Sequence, residues 1–257
     1  MKRVLIIGLA LAMTVGLLAA CTQDPTYQDG TFVAFSNAPE TTRSPAGFDG
    51  PVEIEITFEE DQVTAVKIVE YNTFGQAKDY ATYGSEAAGY TGEDLEDAHV
   101  TLAEAIMANN TWDVDVVSGS TGTSNKVREA AERAFEMALV EPASDNEYFD
   151  GVFMGRTEAD SRGSWLVIFV TIENDEIVGV VMAETYVSDD TLGWKDYESY
   201  GSEAAGYTGA DLEDAHLALG SAMIDANSAE VDVVSGSTGT SDKAIEAAQN
   251  ALDAARR

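Results

Sequence analysis

The sequence has few cysteines and few basic residues, and both shortages exclude whole classes of function. It has 1 Cys in 257 residues, so it forms no internal disulfide, no Cys-based zinc site and no iron–sulfur cluster. Lys and Arg number 14 against 46 Asp and Glu, which gives a net charge of -32. Such a surface repels phosphate backbones, so we expect no nucleic-acid partner. It also repels anionic lipid headgroups, so any membrane attachment needs something other than a basic patch.

The motifs of several enzyme classes are also missing. The sequence contains no GxSxG, no HExxH and no P-loop Gly-Lys-Ser/Thr. The 2 histidines, His99 and His216, stand at matching positions. We expect them to pack or to lie at the surface, and we predict no metal site. The acidic residues that follow Thr91 are typical of the first turn of a helix and do not indicate a catalytic carboxylate pair.

The single cysteine ends an N-terminal targeting segment. Residues 1–3 are Met-Lys-Arg, residues 4–18 are mostly apolar, and Leu-Ala-Ala-Cys closes the run at Cys21. This pattern predicts a secretory signal peptide over residues 1–20, because the run is short for a membrane span of about 20 apolar residues. Leu-Ala-Ala-Cys resembles the lipobox of bacterial lipoproteins, which implies that Cys21 carries a lipid anchor. An uncleaved anchor or an ordinary signal peptide is the alternative.

The rest of the chain is one unit written twice. Residues 83–99 and 200–216 differ only at Glu93 and its twin, and residues 114–124 recur unchanged as 231–241. Each copy has the size of a domain, and a polar stretch that contains Pro142 separates the copies. We therefore predict a polar tether over 21–27, domain 1 over 28–141 and domain 2 over 146–257.

Each copy begins with strands. Apolar and polar residues alternate over residues 52–59, with Val52, Ile54, Ile56 and Phe58 as the apolar ones. This pattern predicts a strand with one solvent-exposed face. In each copy a polar turn is predicted to connect two strands of a hairpin. The predicted turns are 60–62 and 173–175, and the predicted strands are 63–71, 165–172 and 177–187.

Helices follow the strands in each copy. Thr91-Gly-Glu-Asp and its twin at Thr208 approximate a capping box, and apolar residues then recur at helical spacing. A second helix is expected after Ser124, with its twin after Ser241. The fold class is therefore α+β: two tandem homologous domains, each an antiparallel sheet with helices.

The repeated stretch 118–124, with its twin 235–241, is where we expect chemistry. It is rich in Gly, Ser and Thr and leads into a helix, where free N–H groups and the helix dipole favour an anion such as phosphate. Lys126 and Lys243 lie just inside the two helices and are placed to offset phosphate charge. A loop of this composition also serves as a plain helix cap, and the residues alone leave both interpretations open.

A family resemblance adds to this interpretation. Both stretches resemble the flavinylation motif of FMN-binding domains, Asp-x-x-Ser/Thr-Gly-Ala-Thr. The matching residues are Asp115, Ser118, Gly119, Ser120 and Thr121 in domain 1, and Asp232, Ser235, Gly236, Ser237 and Thr238 in domain 2. Ser120 and Ser237 stand where the family usually has Ala. The resemblance implies two covalent FMN groups, joined by phosphodiester bonds to Thr121 and Thr238 by an ApbE-type flavin transferase that uses FAD.

The resemblance also implies a role for the whole protein. A lipoprotein with two such copies is similar to the PplA-type flavoproteins of extracellular electron transfer. This implies an electron relay on the extracytoplasmic side of the membrane, from a membrane quinone oxidoreductase to a downstream acceptor. The alternatives are a lipoprotein module that binds a phosphorylated or other small ligand non-covalently, and a reductase subunit with its own substrate pocket.

A flavin ring needs an aromatic or apolar bed, and the repeated tyrosine-rich block offers candidates. They are Tyr80, Tyr83 and Tyr90, with their twins Tyr197, Tyr200 and Tyr207. Ordinary packing is the alternative for these side chains. Lys78 and Lys195 precede them and are candidates to favour an anionic reduced flavin, with a solvated lysine as the alternative.

Overall fold

The computed structural model describes residues 24–38, 50–85, 90–188, 191–198, 201–202 and 207–257. The predicted signal peptide, Cys21 and Tyr200 lie outside these ranges. Across the ranges that are described, no helix is both long enough and apolar enough to cross a membrane.

Domain 1 is an antiparallel sheet of three strands covered by two helices. The strands pair in the order β1-β2-β3, α1 packs on β3, and α2 packs on β1 and β2. The elements are β1 (Gly30–Phe35), β2 (Val52–Glu59), β3 (Gln62–Glu70), the short pair β4 (Gly84–Ser85) and β5 (Tyr90–Thr91), α1 (Gly92–Asn109) and α2 (Thr121–Ala138).

Domain 2 repeats this arrangement and extends it by one strand. Its sheet has the order β6-β7-β8-β9 and is antiparallel throughout. The elements are β6 (Gly151–Arg156), β7 (Leu166–Glu173), β8 (Glu176–Ser188), β9 (Thr191–Trp194), the short pair β10 (Gly201–Ser202) and β11 (Tyr207–Thr208), α3 (Gly209–Ala226) and α4 (Thr238–Ala255). The predicted α+β class with two tandem domains is confirmed.

The predicted alternation along β2 is confirmed, and it builds the core of domain 1. Val52, Ile54, Ile56 and Phe58 are all 0% exposed, whereas the residues between them are half-buried. The two helices cover this buried face with residues such as Leu102 and Val127. Removing these side chains from water is the main favourable term in folding the domain.

Both predicted turns close tight hairpins. Glu60 and Asp61 have φ of 50° and 63°, and Asn174 and Asp175 have φ of 52° and 63°. Two successive residues with positive φ give a turn whose twist matches that of the paired strands. The end of α1 is tied to the first turn, since Asn110 accepts a hydrogen bond from Val63 N at 2.8 Å and donates one to Asp61 O at 3.0 Å.

The first helix of each domain starts as predicted, and the second starts earlier. Thr91 and Asp94 form a full capping box at the start of α1, and Thr208 and Asp211 form its twin. The predicted start of the second helix after Ser124 is wrong, because α2 already begins at Thr121 and α4 at Thr238. Ser124 Oγ donates to Ser120 O at 2.8 Å, so the Ser/Thr groups of this stretch bond within the first helical turn rather than in a loop.

The two domains share an apolar interface. Trp165 Nε1 donates to Phe74 O at 2.7 Å, and the Phe74 ring stacks on Trp194 with centroids 4.5 Å apart. The backbone continues the contact, since Ala38 N donates to Val152 O at 2.7 Å. The interface buries Val167 and Phe169 on the outer face of β7, so this strand is buried on both faces.

Candidate functional site

The predicted attachment residues lie at the first position of a helix. Ser120 is the N-cap of α2 and Thr121 is its first residue, and Ser237 and Thr238 repeat this at α4. Gly119 turns the chain just before the helix with φ +85, and a Cβ there would meet no described atom within 4 Å. The positive end of the helix dipole and the free N–H groups of the first turn face this exposed corner, which favours an anion.

Burial distinguishes the hydroxyl groups of this stretch. In domain 1, Ser120, Thr123 and Ser124 are buried, whereas Ser118 and Thr121 are exposed. Thr123 Oγ1 donates to Glu70 Oε2 at 3.0 Å. Asp115, which begins the motif, is exposed as well. Thr121 is therefore the threonine of the motif that an enzyme can reach.

Domain 2 presents its motif in the same way. Thr238 is exposed, Ser237 and Ser241 are buried, and Thr240 Oγ1 donates to Glu184 Oε1 at 2.8 Å. Asp232, Ser235 and Gly236 are exposed too. The two copies of the motif therefore share one geometry.

Behind each motif lies a group of buried charged residues that the sequence analysis did not assemble. We call the first the Glu70 cluster, formed by Glu70, Lys78, Tyr80, His99 and Lys126. Lys78 Nζ donates to Glu70 Oε1 at 2.8 Å, and Lys126 Nζ donates to the same oxygen and to Gly50 O. His99 Nε2 lies 3.5 Å from Glu70 Oε2, and Tyr80 Oη lies 2.8 Å from His99 Nδ1. The cluster joins β3, both helices and the segment before β4.

The second domain contains the twin, which we call the Glu184 cluster. Its members are Glu184, Lys195, Tyr197, His216 and Lys243. Lys195 Nζ donates to Glu184 Oε2 at 2.5 Å, and Tyr197 Oη lies 2.7 Å from His216 Nδ1. Lys243 Nζ lies 3.4 Å from Glu184 Oε2 and donates to Asp160 Oδ2 at 2.9 Å.

The central carboxylates stay ionised although they are buried. Burial alone would raise the pKa of Glu70, but the contact with His99 and the charges of Lys126 and Lys78 outweigh it and hold the pKa well below its usual range. Burial, His216 and the two lysines act in the same way on the pKa of Glu184. The Glu70 cluster thus combines one carboxylate with two ammonium groups. The Glu184 cluster has two ammonium groups as well, but Lys243 also pairs with a second carboxylate, that of Asp160.

A cavity of about 520 Å³ opens beside Thr238. Lys195, Lys243 and Arg162 bring positive charge to its wall, and Tyr186 adds an aromatic side chain. The hydrogen bond from Lys243 and two backbone N–H groups lower the pKa of Asp160 to about 2 against the opposing effect of burial. A cavity of this size holds a ligand of nucleotide size, and its donors suit an anionic one. Residues 39–49, which precede β2 in the sequence as residues 160–164 precede β7, lie outside the described ranges.

The tyrosines predicted to hold a flavin ring have different positions. Tyr83 packs beside Lys78, whose Nζ lies 3.4 Å from Tyr83 Oη and 4.6 Å from the ring centroid. Tyr80 and Tyr197 direct their hydroxyls to the two histidines. Tyr90 and Tyr207 are the first residues of β5 and β11, and only their backbone is described. Tyr200 lies outside the described ranges. Ring contact by these tyrosines stays a prediction.

Glu70 and Glu184 are the main residues that the sequence analysis missed. Inward-facing positions alternate along β3, and Glu70 follows Ile68 at the next inward position. A glutamate at an inward-facing position of a strand is unusual, and both domains have one. This feature of the sequence could have identified Glu70 and Glu184 as candidate functional residues. The histidines do pack, as predicted, but they pack within a polar cluster: His99 and His216 are each 5% exposed.

Each repeat places an exposed threonine at the positive end of a helix, near two lysines of a buried cluster. This arrangement favours an anionic ligand. The FMN-binding domain family matches residues 47–136 and 162–253. The chain therefore belongs to this family and is a flavoprotein with two tandem FMN-binding domains. The open corner at Gly119, the free N–H groups and the lysines fit the phosphate of FMN.

No curated protein matches the chain. Among solved structures, the crystal structure of the CPE2226 protein from Clostridium perfringens is similar, with 20% sequence identity and a TM-score of 0.35. The match covers 44% of this chain and 88% of that one.

Proposed function

We propose that this protein carries one covalent FMN on Thr121 and one on Thr238 and relays electrons outside the cytoplasm. The observation that carries the proposal is the exposed threonine at the start of α2 and α4, in a motif whose neighbouring hydroxyls at 120, 123 and 124 are buried. FMN supplies one-electron and two-electron redox chemistry when bound. The chain positions it, supplies charge and keeps it from diffusing away.

The attachment chemistry needs only the threonine hydroxyl and a transferase. Thr121 Oγ1 forms a new bond to the phosphorus of the FMN half of FAD, the pyrophosphate bond breaks, AMP leaves, and the hydroxyl proton passes to the transferase. The N–H groups of the first turn of α2 would hold the phosphodiester that results, and Lys126 of the same helix would offset its charge. No cysteine or histidine is required, which agrees with the composition.

The membrane and the partners enter as further parts of the proposal. A lipid on Cys21 would hold the protein at the membrane, within reach of a quinone oxidoreductase that donates electrons. The net charge of -32 favours docking partners with basic surfaces and makes the encounter rate sensitive to salt. A non-covalent site for a small anion is the second candidate function, because the cavity beside Thr238 is lined by three cations and two carboxylates, a net positive charge.

Intact mass spectrometry tests the attachment. The chain is co-expressed with an ApbE-type transferase, and we expect a mass gain of two FMN units, each less one water. Thr121→Val and Thr238→Val should each remove one unit. Thr101→Val, which changes an exposed threonine of α1, serves as the matched control and should remove none. No mass gain, with a transferase that is active on another domain, would leave the non-covalent binding module as the better account.

A further inference from the structure

His99 and His216 are buried bases that the proposed attachment chemistry does not use. Each is 5% exposed, and Nε2 of each makes no hydrogen bond among the described residues. Nδ1 of each faces a tyrosine hydroxyl, at 2.8 Å in domain 1 and 2.7 Å in domain 2. The same arrangement in both domains, built from residues far apart in the sequence, indicates a shared task.

The surrounding groups favour one tautomer of His99. The ionised carboxylate of Glu70 lies 3.5 Å from Nε2, which favours a proton on Nε2 and leaves Nδ1 as the acceptor. Burial, Glu96 and Glu70 raise the pKa of Tyr80, so its hydroxyl stays protonated. With this tautomer of His99, the hydroxyl donates a hydrogen bond to Nδ1. The other charged groups of the cluster are Lys78, from the segment before β4, and Lys126, from α2.

Tyr80 connects this buried base to the surface. It is half-buried, whereas His99 and Glu70 are buried. A proton can therefore reach Nδ1 without water entering the cluster: the O–H bond of Tyr80 breaks, an N–H bond forms at His99 Nδ1, and Tyr80 takes a replacement proton from solvent. The net change is one proton from solvent to imidazole, with no electron transferred.

We propose that His99 and His216 are proton-holding residues that take up a proton through Tyr80 and Tyr197 when negative charge arrives at the neighbouring motif. Glu70 and Glu184 stabilise the imidazolium that forms, since each lies next to Nε2. Each histidine then compensates the added charge inside a low-dielectric site, where an uncompensated charge is costly. The inference rests on the proposed redox function for its purpose, but the geometry of the cluster can be tested without flavin.

The first test uses the full mature chain without flavin. Because the sequence has 2 histidines, a sample with 15N-labelled imidazoles gives two sets of ring signals, which His99→Gln assigns. We expect His99 to be the Nε2–H tautomer with Nδ1 hydrogen-bonded, and Tyr80→Phe to shift the Nδ1 signal of His99 but not that of His216. An Nδ1–H tautomer, or a His99 signal unchanged by Tyr80→Phe, would overturn the proposal.

The second test measures proton uptake on reduction of the loaded protein. Thr238→Val confines flavin to domain 1, and intact mass verifies the loading. In that background His99→Gln should lose part of the proton uptake that an indicator dye reports. His216→Gln, the same substitution in the domain without flavin, should lose none.

Equal uptake in all three proteins would refute the proton-holding role, whereas absence of flavin would refute the proposed function and leave the first test valid. Tyr80→Phe should slow the uptake, which provides a second variant if His99→Gln does not fold.

Discussion

At the scale of single residues, Glu70 shows how one buried carboxylate organises a domain. It accepts hydrogen bonds from Lys78, Lys126 and Thr123 while only 2% of its side chain is exposed. These partners come from two separate parts of the chain, because Lys78 precedes β4 whereas Thr123 and Lys126 lie in the first turns of α2. A glutamine at this position would keep the shape but remove the charge that balances two ammonium groups.

Glu70→Gln should therefore destabilise domain 1, and the effect should depend on pH. Loss of one partner from a buried ion pair costs about 3–5 kcal/mol. The pKa of Glu70 is lowered by folding, so its contribution is complete above the unfolded pKa of about 4.5 and decreases as pH falls below it. The deficit of the variant should thus be large at pH 7 and shrink as pH falls below about 4.5, as measured by urea unfolding at several pH values.

The control for this series is Glu55→Gln. Glu55 is a half-buried residue of β2 that faces away from the helices, and its replacement should change stability by less than about 1 kcal/mol. A deficit of Glu70→Gln that stays constant from pH 7 to pH 3 would show that the charge of Glu70 does not determine its effect.

At the scale of elements, a glycine at the start of α1 sets the position of the tyrosine segment. A Cβ at Gly92 would lie 1.7 Å from Tyr80 O, a distance that no packing allows. The close approach of this carbonyl holds Tyr80 over α1, where its hydroxyl reaches His99. Gly122, in the first turn of α2, differs, since a Cβ there would meet no described atom within 4 Å.

Gly92→Ala and Gly122→Ala should consequently have opposite effects on stability. The first forces the backbone apart, and overpacking of this kind costs about 1–3 kcal/mol. The second removes the entropic cost of a helical glycine and should stabilise the protein by about 0.5–1 kcal/mol. Denaturant unfolding of both variants gives the comparison, and a stabilised Gly92→Ala protein would contradict the packing argument.

Local patterns were sufficient to predict most elements. Alternation located β2, polar turns located both hairpins, and Thr91 with Asp94 located the start of α1. The Glu70 cluster could not be derived in this way, because Lys126 is 56 residues from Glu70 in sequence and only the folded sheet brings them together. The start of α2 at Thr121 was missed for a related reason: a Ser/Thr/Gly stretch suits a cap as well as a first turn, and burial of Thr123 against Glu70 decides between them.

At the scale of the whole molecule, the contact between the domains explains why the twin strands differ. The outer face of β2 carries Glu53 and Glu55, whereas the outer face of β7 carries Val167 and Phe169, which the interface buries. Trp194 of this interface directly precedes Lys195 of the Glu184 cluster. The interface between the domains therefore lies next to the Glu184 cluster. A change in how the two domains pack should affect the Glu184 cluster before the Glu70 cluster.

Arg133 connects the two domains through hydrogen bonds to both of them. It extends from α2 of domain 1, is 7% exposed, and donates to Phe35 O within domain 1 and to Asp150 O at 3.2 Å where domain 2 begins. Its guanidinium also lies 4.8 Å from the ring centroid of Phe153 in the core of domain 2. Arg133→Ala removes these hydrogen bonds together with the contact to the Phe153 ring, and we expect a loss of about 2–4 kcal/mol, because a hydrogen bond to a charged group contributes about 1.5–3 kcal/mol.

Calorimetry of the full chain can distinguish a role of Arg133 in coupling the two domains from a general effect on stability. The parent should unfold in one transition if the domains are coupled, and Arg133→Ala should unfold earlier and in two steps. Arg128→Ala is the matched control, since Arg128 lies on the same helix but pairs with the exposed Asp113, a contact worth at most about 1 kcal/mol. A single transition in Arg133→Ala, shifted no further than that of Arg128→Ala, would mean that the aromatic contact of Phe74, Trp165 and Trp194 holds the domains together without the arginine.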